Sequence, residues 1–285
     1  MSEAQSLPAA QELDVTLIRP YKGSSRKDLL ELWQYRELIF FLTWRDIKVR
    51  YKQSVLGAGW AILKPLVSML VFYIIFSRLA GIPTDGAPGP VFYFAGLLPW
   101  MLFQEGVTKA SGSLVAGSNL ITKVYFPRVA IPLSSVLAGL LDFGLAFLVL
   151  LGIMAFYGMA PTRSAWALPL FLLLALATAV GVGLWTSALN VRYRDVGYIT
   201  PFILLAWLYA SPVVYSSTLI PEGGWQLLYA LNPMAGVVQG FRWAMLGVGA
   251  PPSGFLAISA AVALTLLISG FLYFRRMERT FADVI

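Results

Sequence analysis

Glu105 and Asp142 are the two acidic residues that fall inside long apolar runs of this 285-residue chain. An ionised side chain at the centre of a bilayer costs roughly 2.5–3.5 kcal/mol on insertion scales, so intramembrane carboxylates point to ion pathways, proton relays or buried pairs. Asp142, in "VLAGLLDFGLAFLV", is the more deeply placed and is expected to face a helix-bundle interior, paired or protonated. Glu105 lies near one end of its run, where it can cap a helix or meet Lys109 at i+4. Structural pairing and a proton relay both stay open for the two. Two carboxylates on separate helices do not make a catalytic site by themselves. The chain contains no cysteine and no histidine, which removes thiol nucleophiles, imidazole acid–base catalysis and the usual zinc sites. No G-x-x-x-x-G-K-[ST] loop occurs, so the chain has no phosphate cradle of the usual kind for ATP. Catalytic, cofactor-binding and metal-binding residues are therefore expected to be absent.

The elements that carry these two acids are long and greasy. Hydrophobic residues make up 58% of the sequence and charged residues 12%, against about 25% charged in a soluble domain. Mean hydropathy is +0.74. A helix needs roughly 20 apolar residues to cross a bilayer. Six candidate spans follow, at about residues 61–80, 91–110, 129–157, 167–189, 198–215 and 255–274. Lys64 and Arg78 bracket the first and can snorkel to opposite interfaces. Pro99 and Glu105 interrupt the second. The expected fold is an all-α integral membrane protein.

Orientation follows from the cations. Those from Arg26 to Lys64, then Lys109, Lys123, Arg128, Arg192, Arg194, Arg275, Arg276 and Arg279, fall on one side; Arg78, Arg163 and Arg242 fall on the other. An even number of spans then places both termini in the cytoplasm. The net charge of +7 is spread between apolar runs, which suits lipid headgroups and not nucleic acid. Residues 1–25 are polar and acidic, a flexible cytosolic arm and no cleavable signal. Residues 26–60 form an amphipathic membrane-interface region, and residues 61–285 the six-span domain.

Within the interface region Leu29, Trp33, Phe40, Trp44, Ile47 and Tyr51 recur at helical spacing, while Arg45, Lys48, Arg50 and Lys52 fall mostly elsewhere around the wheel. A helix lying on the inner leaflet fits this pattern, and a helix packed on a soluble partner is the alternative. Gly57 and Gly59 would let the chain bend from lying flat to crossing. Between the second and third spans, "SNLITKVYFPR" opens on Ser118 as a plausible N-cap and leaves Leu120, Ile121, Tyr125 and Phe126 needing cover. It is either a docking element or a turn tucked under its own bundle. Between the fifth and sixth spans, Pro221, Gly223-Gly224 and Asn232-Pro233 cut a long external connection into two short amphipathic pieces. Of the abundant aromatics, Phe72, Tyr73, Trp207 and Tyr209 could line a path for a ligand with C–H faces, such as a sugar, or simply pack the bundle.

Four stretches carry a resemblance: "RDIKVRYKQSVLGAGWAILKPL", "NLITKVYFPRVAIPLSSVLAGLLDF", "NVRYRDVGYITPFILLAWLYASPVVY" with the later "LNPMAGVVQGFRWAML", and the closing "YFRRMERTFADVI". In order and spacing the chain resembles the permease subunits of bacterial ATP-binding-cassette exporters for surface polysaccharides, of the O-antigen, teichoic acid and capsule type. The resemblance implies a non-enzymatic transport subunit of the bacterial inner membrane that pairs with itself and with two copies of a separate ATPase. ATP and Mg would then be bound on that partner. Asn119, Leu120, Ile121, Lys123, Tyr125 and Phe126 would form a coupling helix seated in the ATPase. The helix bearing Trp44, Arg45, Lys48, Arg50 and Lys52 would lie near the point where lipid-linked glycan enters, and the two external pieces would act as a gate. Competing readings are a permease of the same type for a drug, haem or lipid, a membrane-embedded glycosyltransferase, and a secondary transporter. The glycosyltransferase would need an acidic cluster, and the secondary transporter an internal repeat; neither is visible.

Overall fold

The computed structural model describes residues 32–52, 57, 59–123, 126–220, 224–249 and 254–281. The expected arm over residues 1–25 lies outside the described residues, as does Tyr125. Among the described residues all regular structure is helical.

Helix α1 (Arg36–Lys52) packs on α5. Gly57 has φ +49°, so the chain does turn there before α2 (Gly59–Phe72), which continues into a wider helical stretch over Tyr73–Leu79. Helix α3 (Gly89–Ala116) is followed by the short α4 (Ser118–Lys123). The third span is built from α5 (Ala130–Leu137) and α6 (Gly139–Phe156), joined at Ala138. The fourth is α7 (Leu168–Arg192), led in by a tight turn over Arg163–Ala167. Helix α8 (Val196–Tyr209) stands in the fifth position, α9 (Gly224–Ala230) and α10 (Pro233–Leu246) form the connection, and α11 (Gly254–Met277) is the last span.

Four of these segments are long and apolar enough to cross a membrane: 59–79, 130–156, 163–192 and 254–280. The second and fifth depart from that pattern in opposite ways. Helix α3, with 28 residues, has the length but carries Gln104, Glu105 and Lys109. It is the hub of the fold, packed against α2, α5, α6, α7, α8 and α10, with Val91 to Leu98 wholly buried. Small residues allow this crowding. A Cβ at Gly106 would stand 3.3 Å from Val136 and 3.4 Å from Ala179, and one at Gly183 would stand 2.8 Å from Ala110. Helices α7 and α11 cross backbone to backbone, since a Cβ at Gly181 would fall 2.6 Å from the carbonyl carbon of Leu266.

The fifth span is shorter than expected: helix ends at Tyr209 and not at Tyr215. Pro212 supplies no amide donor and disfavours helix at Ser211. The carbonyls beyond the break are taken instead by Arg242. Its Nη2 donates to Val213 O at 2.6 Å, its Nη1 to Tyr215 O at 3.3 Å and also to Pro212 O, and its Nε to Phe92 O at 3.1 Å. Arg242 also lies over the Phe92 ring, 3.6 Å from its centroid. Arg242, counted among the cations of the side opposite the termini, is no surface charge: it is 4% exposed and replaces a helical turn's worth of donors.

The two expected connecting pieces differ from each other. Asn232 caps α10 by accepting from Met234 N at 3.0 Å, Pro233 occupies the first turn, and Gly247 ends the helix at φ +70°. Helix α10 is almost wholly buried, whereas α9 leaves Trp225, Leu227 and Leu228 exposed.

Candidate site between the first helix and the bundle

Helix α1 shows two faces. Trp33, Phe40, Phe41 and Trp44 are exposed, while Leu38, Ile39 and Leu42 pack inward against Phe274 and Phe281. Lys48 stands 5.6 Å from the Trp44 ring centroid and Lys52 is exposed. Arg45 pairs with its neighbour Asp46 at 2.8 Å. Arg50 does not join the outer cations. It turns inward and forms an ion pair with Asp142, to which the Tyr51 hydroxyl also donates. Burial raises the Tyr51 pKa above the ordinary tyrosine value, which keeps the hydroxyl a donor.

Asp142 is therefore paired, one turn into α6, with a cation of α1. Glu105 is paired twice: with Lys64 of α2, and with Lys109 at 3.6 Å one turn on. Both acids are shared between helices that the chain brings together from distant positions. That is what makes a charge tolerable at this depth.

These pairs line a cleft of about 390 Å³ between α1, α2, α3 and α6. Its walls are mostly apolar, with Trp60, Leu98, Met101, Leu102, Phe143 and Ala146. A second cleft of about 710 Å³ lies between α1, the end of α3, α4 and α5, lined by the polar Arg45, Thr108 and Asn119 and by the apolar Val49, Leu120 and Ile131. Arg50 and Lys109 line both.

Of the expected docking residues, Asn119 and Lys123 are exposed on α4 and Leu120 is half-buried. Ile121 belongs to the same helix. Phe126 is an exception. It is 5% exposed and sits in the apolar cluster with Leu42, Val129, Phe274 and Phe281, so it anchors the segment from within. The anchor is reinforced by Glu278, which accepts from the Arg128 amide at 2.9 Å and pairs with Arg275 at 2.9 Å. Arg128 Nη1 also donates to Glu278 O at 2.7 Å. The "FPR" and "ERTF" stretches, far apart in sequence, thus form one structure. The i, i+3 spacing of Arg275 and Glu278 was a visible signal for half of it; the partnership with Arg128 left none.

The four aromatics considered for a path fare unequally. Phe72 packs edge-on to Phe76 at 5.6 Å, and Tyr73 accepts from Arg78 Nε at 2.7 Å. Trp207 packs edge-on to Phe103 at 5.1 Å and donates to Asn232 Oδ1 at 2.9 Å. Tyr209 is exposed, in a row along α8 with Tyr198, Phe202 and Leu205. Asn190 in "NVRYRD" binds Ser111 O at 2.9 Å and accepts from Gly197 N at 3.0 Å, fixing the turn between the fourth and fifth positions to α3.

Residues 37–246 match the family model described as ABC-2 type transporter. The chain is 33% identical over 258 residues to an O-antigen export system permease protein, RfbA, of Myxococcus xanthus, covering 90% of this chain and 98% of that protein. It is 30% identical over 251 residues to the protein of the same name from Klebsiella pneumoniae, covering 87% and 95%. A more distant relative is the polysialic acid transport protein KpsM of Escherichia coli, 24% identical over 239 residues and covering 82% and 91%. Family match, helical membrane architecture and nearly full-length likeness agree, and the chain belongs to the ABC-2 type transporter family.

Proposed function

We propose that this chain is the membrane-spanning subunit of an ATP-driven exporter that moves lipid-linked polysaccharide, of the O-antigen kind, out of the cytoplasm across the inner membrane. The observation that carries this reading is the near full-length likeness to two O-antigen export permeases at 30% identity or above. The likeness to a polysialic acid transport protein favours the broader class of surface glycans over drugs or haem. The chain acts as a non-enzymatic transport subunit. ATP and Mg are bound by a separate ATPase, present in two copies against a homodimer of this chain. The distribution of Lys and Arg supports both termini on the cytoplasmic side, with α1 on the inner leaflet.

In this reading α4 docks in the ATPase through Asn119, Leu120, Ile121, Lys123 and Tyr125, while Phe126 and the Arg128–Glu278 clasp hold it to the bundle. A docking element can transmit motion only if it is fastened to what must move, and this fastening meets that need. Helices α9 and α10 form the outer gate in this reading. The exposed rings along α8, Tyr209 among them, suit sliding contact with sugar faces.

The test is to tag the chain in its host, solubilise it gently and identify the stoichiometric partner. An ATPase subunit should co-purify, and Lys123→Glu combined with Tyr125→Ala should lower its recovery at least tenfold and remove glycan from the cell surface. A chain that purifies without any nucleotide-binding partner in several detergents would refute the assignment.

A further inference from the structure

Asp85 is the one non-glycine residue at positive φ among the described residues, at +51°. It stands in the loop between the first span and α3, and that loop is fixed from within. Ile82 N donates to Phe76 O at 2.8 Å, Ala87 N to Thr84 O at 3.0 Å and Thr84 Oγ1 to Ala87 O at 2.7 Å. A left-handed backbone costs energy outside glycine, and it persists where the surrounding structure demands it. Here the demand comes from the side chain. The Asp85 carboxylate accepts from the Ser216 hydroxyl and from Thr218 Oγ1 at 3.2 Å. Ser216 is 1% exposed and follows directly on the carbonyls that Arg242 takes. The connection after the fifth span is thus fastened by two opposite charges. Arg242 of α10 takes the carbonyls of Pro212, Val213 and Tyr215, and Asp85 takes the hydroxyls of Ser216 and Thr218.

Neither charge has a counter-ion. Among the described residues, Asp85 and Arg242 form no ion pair with each other or with a third group. Yet both line one hollow of about 10 Å³, together with Pro212 and Ser216 of the connection they fasten. A buried guanidinium is tolerated while carbonyls surround it, and stripping them away without a replacement is costly. The replacement stands on the same hollow, engaged with hydroxyls that water can serve equally well.

We infer that Asp85 and Arg242 are the two halves of a partner-exchange latch. In the described conformation each fastens the connection. When the connection is displaced, carboxylate and guanidinium pair with each other, so that the move strands no buried charge. Asp85 is a positioning residue in both conformations, first as acceptor for two hydroxyls and then as counter-ion. The latch deepens the proposed export reading and rests on it for its purpose, since the connection leads from the fifth span into the two pieces assigned to the outer gate. It also ties that gate to the end of the first span, through a loop bonded to Phe76.

The chain has no cysteine, which leaves it open to site-directed spin labelling. Leu79→Cys and Leu219→Cys, at two exposed positions, put one label beside the Asp85 loop and the other beside Thr218. Double electron–electron resonance on the purified chain in nanodiscs, diluted with unlabelled chain, reads a short distance with the connection in place and a long one with it displaced. Ser216→Ala with Thr218→Val removes the hydroxyls and leaves both charges, and it should raise the ratio of long to short at least tenfold. Asp85→Ala removes the same two hydrogen bonds and the exchange partner as well, and it should change the ratio less than twofold. Displacement by Asp85→Ala as great as by the hydroxyl pair would make Asp85 a plain anchor and overturn the latch. No displacement by the hydroxyl pair would overturn it too. If Asp85→Ala does not fold, Asp85→Asn suits the left-handed backbone better and is expected to stay in place; displacement equal to that of the hydroxyl pair overturns the proposal in the same way. The measurement needs neither ATPase nor glycan, so the latch can fail while co-purification of an ATPase stands, and the reverse.

Discussion

Helices α2 and α3 run side by side and invert the usual relation between apolarity and burial. Helix α2 belongs to a segment greasy enough to span a membrane, yet only Pro65 and Met69 of its residues are buried. Helix α3 carries Gln104, Glu105 and Lys109 and falls short of that standard of apolarity, yet 17 of its 28 residues are buried. In water, burial is what selects apolar residues. In a bilayer the solvent is itself apolar, so an unbroken run of Leu, Ile and Val reports contact with lipid. Burial among helices is reported instead by glycine, by small residues and by polar groups that find partners, as at Gly106 and at Trp100 with Gln104.

That contrast can be broken by substitution. The largest effect is expected on α3. Trp100 is fully buried, packs on Phe103 at 5.2 Å and donates to Gln104 Oε1 at 2.9 Å. Trp100→Ala should cost about 3–5 kcal/mol, read by chemical denaturation in mixed micelles. A loss below about 1 kcal/mol would mean α3 is no hub. Next comes Gly181→Val at the α7–α11 crossing, where a side chain would meet the Leu266 backbone. It should destabilise by about 1–3 kcal/mol in the same assay, with Gly181→Ala between it and wild type. The smallest effect is expected on α2. Leu70 is half exposed, and Leu70→Ala should change stability by no more than about 0.5 kcal/mol. A larger loss in the detergent-solubilised single chain would show that α2 is packed against protein.

The same contrast explains what the sequence disclosed. The strongest apolar runs stand out by their length and uniformity, and the positions of the third, fourth and sixth spans follow from them. The pairing of Asp142 was foreseeable on energetic grounds, but its partner was not. Arg50 lies in a run of cations whose other members stay outside, and helical spacing alone could not single it out. The role of Arg242 left no sign in the sequence, because an arginine in a connection between spans normally meets water. Its role arises from the carbonyls freed by Pro212, a consequence of two distant segments meeting. Phe126 illustrates the same limit, since an exposed docking ring and a buried anchor have the same sequence appearance. The clasp of Arg128 by Glu278 joins the start of the third span to the end of the last, and only the three-dimensional path of α11 brings them together.

Arg242 has one more consequence. A helix end frays by losing its bonds in series, each giving way alone and at small cost. The stretch from Pro212 to Tyr215 has no such ladder, and its Pro212, Val213 and Tyr215 carbonyls all hang on one guanidinium. Its anchorage is held or released as a unit, like a panel on a single bolt. The C-terminal end of the fifth helix therefore has a yield point where its neighbours have gradual give.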